Sequence, residues 1–179
     1  MLIIRRSKFK TVPWKNGGGI THEVAKAKVG GKLQWRLSLA EVDSDGPFSL
    51  FPGLARILTV IDGEGMDLRD ASGVIAHAVP ALTPVHFSGD DQLHGILRSG
   101  KCLDFNLIYD PQRFSGSVRV VSGENSERSD LIGGILCLNG TISSGGEDLQ
   151  RHDFAFVETG EIITFAPEAR ALHLRLHER

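Results

Sequence analysis

The chain of 179 residues has only two cysteines, Cys102 and Cys137, and each sits in an apolar run. That usage excludes a disulfide framework and marks both as buried thiols. Seven histidines are spread over the chain, yet no His-x-His and no Cys-x-x-Cys occurs. Local spacing therefore offers no metal motif, and neither metal nor cofactor is expected. His173 and His177 would suit a helix but alternate with leucines as in a strand, which puts them on a solvated face. No apolar run approaches membrane-spanning length, and Leu2-Ile3-Ile4 before Arg5-Arg6 is too short for a secretory core. A net charge of −2 gives no footprint for nucleic acid, and no basic run suggests a membrane surface. Gly-x-Ser-x-Gly is absent, so a nucleophile elbow has no support. A soluble, cytoplasmic protein fits these absences.

Glycine, by contrast, is plentiful at 21 residues, and three stand together in Trp14-Lys15-Asn16-Gly17-Gly18-Gly19-Ile20-Thr21-His22-Glu23. Adjacent glycines carry a high entropic cost, tolerated where the chain needs positive φ or close approach of another group. They do not form a P-loop, which requires Lys and Ser or Thr directly after the last glycine, nor the spaced glycines of a dinucleotide fingerprint. Trp14 and Asn16 stand before them. Thr21 and Glu23 share one face if Ile20 to Val24 is extended.

The remaining glycines separate short runs that alternate with period two. Trp35, Leu37 and Leu39 fall on one face and Arg36, Ser38 and Ala40 on the other. Leu103, Phe105, Leu107 and Tyr109 fall opposite Asp104, Asn106 and Ile108. No stretch holds a helical stripe for three turns. Many short strands with Gly-marked turns predict an antiparallel barrel or sandwich. Ile57–Gly63 and Gly134–Gly140 echo one another, as two halves of one architecture would. The loop-rich stretch from Pro111 to Asp130 would join them, with Glu124 to Asp130 exposed.

Arg36, Ser38, Asp104 and Asn106 stand mid-strand opposite apolar faces. Either they form the wet side of a half-buried sheet or they point into a barrel lumen. Their short or fork-shaped hydrogen-bonding groups favour the lumen. A buried Arg36 would need an anionic partner, with Asp104 or Glu23 available for it.

Five segments, in order, resemble the HutD/Ves family. They are Trp14–Thr21 with Glu23, Trp35–Ala40, Gly46–Gly53 with Arg56, Phe87–Asp90 and Asp104–Leu107. The resemblance implies an all-β double cupin of two jelly-roll-like antiparallel barrels packed together, with little helix. It also implies a bacterial protein that modulates histidine utilisation rather than catalysing a step. The halves would be 1–110, carrying the motifs, and 111–179. The paired-His metal motif of cupins is missing.

Residues and resemblance together predict a metal-free binder of a carboxylate-bearing intermediate such as urocanate or formylglutamate. The pocket would draw on Trp14, Asn16, Gly17, Gly18, Gly19, Thr21, Glu23, Arg36, Ser38, Arg56, Asp104 and Asn106. An Arg fork suits a carboxylate in a low-dielectric pocket. The alternative is a cupin-type enzyme, metal-dependent or a metal-free acid–base isomerase, and a homodimer stays open.

Overall fold

The computed structural model describes residues 1–123, 127–128 and 133–179, with only the backbone described at 127–128. From the amino end, β1 (Leu2–Ile4) precedes a single 3-10 turn over Arg6–Lys8. Ten strands follow: β2 (Lys10–Pro13), β3 (Gly19–Val29), β4 (Lys32–Val42), β5 (Gly46–Pro47), β6 (Ala55–Asp62), β7 (Met66–Arg69), β8 (Ile75–Val79), β9 (Val85–Ser88), β10 (His94–Leu97) and β11 (Cys102–Tyr109). The rest are β12 (Phe114–Ser122), β13 (Glu127–Arg128), β14 (Gly133–Asn139), β15 (Ile142–Ser144), β16 (Glu147–Leu149), β17 (Phe154–Val157), β18 (Ile163–Phe165) and β19 (Arg170–Glu178). Among the described residues no helix is long and apolar enough to cross a membrane.

Internal contacts divide the chain into two compact units. One holds Lys10–Phe114 with Glu178–Arg179, the other Met1–Phe9 with Ser115–His177. The sequence expectation cut the chain between 110 and 111. The contact division falls after Phe114 and assigns the first nine residues to the unit that holds the later strands.

The Lys10–Phe114 unit has a six-stranded sheet in the order β2-β3-β4-β11-β6-β9 and a four-stranded sheet in the order β5-β10-β7-β8. The β3–β4 hairpin turns at Gly30-Gly31, where φ of 55° and 81° supplies the left-handed backbone of a tight two-residue loop. Ala40, Val42, Leu58 and Val60 of the larger sheet meet Met66, Leu68 and Val79 of the smaller one in a single buried cluster. The opposite face of the larger sheet is buried too, with Leu37, Leu39, Ile57, Phe105 and Leu107 at 0–1% exposure. Burial on both faces is why β6 reads as a nearly continuous apolar run from Ile57 to Ile61.

The other unit repeats the plan with sheets β1-β17-β14-β19-β12 and β13-β18-β15-β16. Ile135, Cys137, Ala155 and Ala171 from the first pack with Ile142, Leu149, Ile163 and Phe165 from the second. Its β14 and β15 are parted at Gly140, whose φ of 73° and contact with Ala169 exclude a side chain. The stretch expected to be loop-rich, Pro111 to Asp130, holds the nine-residue β12, because Val118, Val120 and Val121 carry strand propensity past the Ser-Gly-Ser that precedes them. Most of the exposed loop expected at 124–130 lies outside the described residues. His173 corrects the solvated-face expectation. It is 1% exposed and accepts a hydrogen bond at Nδ1 from Arg119 Nε at 3.1 Å, since β19 runs between β14 and β12 rather than along an edge. His177, near the strand's end, is exposed.

Candidate functional site

The inner face of the six-stranded sheet changes character along its length. One end is the apolar cluster just described; at the other the same face turns polar around a cavity of about 550 Å3. Antiparallel register explains how distant residues meet there. Glu23, Ser38 and Asn106 form one cross-strand row, and Thr21, Ala40 and Asp104 the next. A third row places Ile108 between Arg36 on β4 and Arg56 on β6. All nine line the cavity. Arg36, Ser38, Asp104 and Asn106 thus lie together along one cavity wall.

The wall opposite the sheet comes from the 12–16 segment and from Pro47, Phe48, Ser49 and Phe51. Trp14 is fixed by its indole, which donates to Thr21 Oγ1 at 2.8 Å. The Asn16 side chain accepts from Gly18 N at 3.1 Å. The glycines themselves do not line the cavity; they shape its edge. Gly17 adopts φ of 73°, whereas a Cβ on Gly19 would lie 2.3 Å from Glu41 O and 3.1 Å from the Trp14 ring. So one glycine serves conformation and another close approach.

The electrostatics centre on Arg56 rather than Arg36. Arg56 is 6% exposed and donates through Nη2 to Asn106 Oδ1 at 2.8 Å and through Nη1 to Ser49 O at 3.3 Å. Its guanidinium carbon lies 4.9–5.4 Å from the ring centres of Phe48, Phe51 and Phe87, a geometry of cation–π attraction. Burial pushes Arg56 down to about 10, opposed by Asp104 and reinforced by Arg36. Arg36 is only half-buried: its Nε lies 4.0 Å from Glu23 Oε2, and its guanidinium sits 5.6 Å from the Phe51 ring centre. Burial lowers its pKa also, against the pull of Glu23. Of the two partners expected for Arg36, Glu23 is the one beside it, although Arg36 is less buried than expected. Arg36 stands at an outer position with Glu23, and the deeply buried guanidinium is Arg56, which reaches Asp104 only through Asn106.

Asp104 is 1% exposed and accepts from Asn106 Nδ2. Burial pushes its carboxyl up to about 7, with Arg56 and the Asn106 hydrogen bond acting the other way. The Nε donors of both arginines are buried without an acceptor. A buried unpaired donor costs about 1–3 kcal/mol, so a site holding two is incomplete in chemical terms. Among the described residues, no three His, Cys, Asp or Glu side chains converge as metal ligands.

Phe48 and Phe51 escaped the residue-level prediction although their segment carried part of the resemblance. The two aromatics three residues apart, beside Arg56, were the available signal. Phe87, near the end of β9 and three residues before Asp90, gave less.

Two paired-sheet units with a polar cavity inside one of them define an all-β protein of the double-cupin class. Low-identity neighbours show that fold: the bacterial pirin YhhW from Escherichia coli superposes with a TM-score of 0.66 at 11% identity, covering 99% of this chain and 97% of its own. A sequence model of the HutD family matches residues 6–174, and the chain belongs to that family. HutD from Pseudomonas fluorescens SBW25 superposes with a TM-score of 0.80 at 31% identity, covering 99% of this chain and 98% of that one. An uncharacterized 21.2 kDa protein in the hutC 3′ region of Pseudomonas putida is 34% identical over 83% of this chain and 80% of its own length. Protein Ves of Citrobacter koseri is 31% identical over 74% of this chain and 70% of its own.

Proposed function

We propose that the protein binds a small carboxylate in this cavity and thereby modulates histidine utilisation in the bacterial cytoplasm. One observation carries the binding reading: two guanidiniums line a single cavity and each keeps a buried Nε hydrogen without an acceptor. A carboxylate offers two acceptor oxygens in the plane an Arg fork requires. Glu23, at the outer end of the row, provides an acceptor for an imidazole or amide N–H on the same ligand. The link to histidine utilisation rests on family membership and on the relative described in the hutC 3′ region. Urocanate and formylglutamate combine these features, and the reading needs neither metal nor cofactor.

A thermal-shift screen of such intermediates tests it, since a ligand that binds only the folded state raises the melting temperature. The native protein should respond and Arg36→Lys should not, because an ammonium cannot replace the fork. Equal shifts in both proteins would sink the Arg-fork reading. Asp104 supports a second reading, a metal-free acid–base enzyme, since a carboxyl titrating near neutrality is suited to proton transfer. Nuclear magnetic resonance of each intermediate incubated with the protein separates the two: unchanged ligand means binder, and a new species means enzyme.

A further inference from the structure

Asp104 has an unusual position for a carboxyl beside two arginines. It lies mid-strand on β11, flanked by β4 and β6, at 1% exposure. Yet no guanidinium among the described residues hydrogen-bonds to it. Arg56 from β6 spends its Nη donors on Asn106 and Ser49, and Arg36 from β4 lies against Glu23 from β3. The other ionisable neighbours are Lys15, exposed at the cavity rim, and the buried Cys102 thiol on its own strand, pushed up to about 12 by burial and by Asp104. The smaller sheet adds only apolar Met66, Leu68 and Val79 to the cluster below.

We propose that Asp104 carries a proton in with the ligand: when a carboxylate occupies the cavity, Asp104 takes one proton from solvent, and its neutral form donates a hydrogen bond to the bound anion. This rests on the carboxylate reading of the cavity and adds what that reading leaves out, the fate of the second negative charge. The two charges share one water-poor space, and a like charge at close range favours the neutral form of the other. The arginines leave the charge of Asp104 unsettled, because Arg56 donates to Asn106 and Ser49, Arg36 lies against Glu23, and neither hydrogen-bonds to Asp104. A protonated carboxyl, in contrast, gains a donor that the ionised one lacks. No bond other than O–H is made, and the proton comes from water or buffer. The free carboxyl, standing at about 7, is placed to take up a proton near neutrality.

The cavity would then select the elements of a carboxylic acid, anion plus proton, over an anion alone. Binding should weaken toward tenfold for each pH step above neutrality, the linkage slope for uptake of one proton. Formylglutamate is a suitable probe because none of its groups titrates between about pH 6 and about pH 9. Calorimetric titration in buffers of different ionisation enthalpy should show uptake approaching one proton at about pH 8 and little at about pH 6. Asp104→Asn, which fixes the neutral form, should show no uptake and a flat pH profile. Carbon-13 resonances of the native aspartates provide a check that needs no variant: the Asp104 titration midpoint should rise when the ligand is added. Binding without proton uptake, or equal uptake by Asp104→Asn, would overturn this proposal and leave the carboxylate reading standing. Absence of binding at every pH overturns both.

Discussion

Replacing Asp104 by Asn should flatten the pH dependence of folding stability, and the structure supplies the size of the effect. A carboxyl that ionises at 3.8 in the unfolded chain and at about 7 in the fold holds its proton more tightly when folded. The difference corresponds to roughly 4 kcal/mol. Its sign follows from the raised value. Between those two points the folded protein keeps a proton that the unfolded chain has released, so stability falls as pH rises. The favourable contribution is complete below about pH 3.8 and gone above about pH 7. Some 2.5 kcal/mol of it, roughly, falls between pH 5 and pH 8. Urea unfolding followed by tryptophan fluorescence suits the measurement, because Trp14 and Trp35 both lie in the unit that contains Asp104. Other groups titrate over the same range in both proteins, and the native-minus-variant difference cancels them. A difference that stays constant from pH 5 to pH 8 would refute the claim that burial of Asp104, uncompensated by a direct guanidinium contact, sets its proton affinity.

Two further perturbations test the frame of the cavity. Arg56→Met keeps the bulk among Phe48, Phe51 and Phe87 but leaves Asn106 Oδ1 without its donor; at pH 8, with Asp104 ionised, it should cost about 3–5 kcal/mol by chemical denaturation. A loss under 1 kcal/mol would mean that Arg56 is not integral to the buried network. Gly19→Ala should cost about 1–3 kcal/mol, because its Cβ meets a fixed carbonyl at 2.3 Å, while Gly18→Ala meets only the movable Ser44 hydroxyl at 3.1 Å and should be nearly neutral. Matching melting temperatures for the two variants would contradict the close-approach account of Gly19.

The amino-acid sequence by itself determined the local terms. Period-two alternation in Trp35–Ala40 and Leu103–Ile108 specified strands and the side of each that carries polar groups, because side-chain direction along a strand is fixed by backbone geometry. Gly30-Gly31 and Asn139-Gly140 specified turns because positive φ excludes most other residues there. Register and partner choice are long-range quantities, and alternation does not encode them. Residue types alone therefore left Asp104 and Glu23 as equal candidates to pair with Arg36. Pairing of β4 with β3 gave Arg36 to Glu23, and pairing of β11 with β6 gave Arg56 to Asn106, which in turn donates to Asp104. The same limit applied to His173, whose leucine alternation was legible while the strands flanking β19 were not. Burial depth, and with it the near-neutral titration of Asp104, depends on how many layers cover a strand. That was decided only when the sheets packed, because desolvation is a property of the surroundings rather than of the residue.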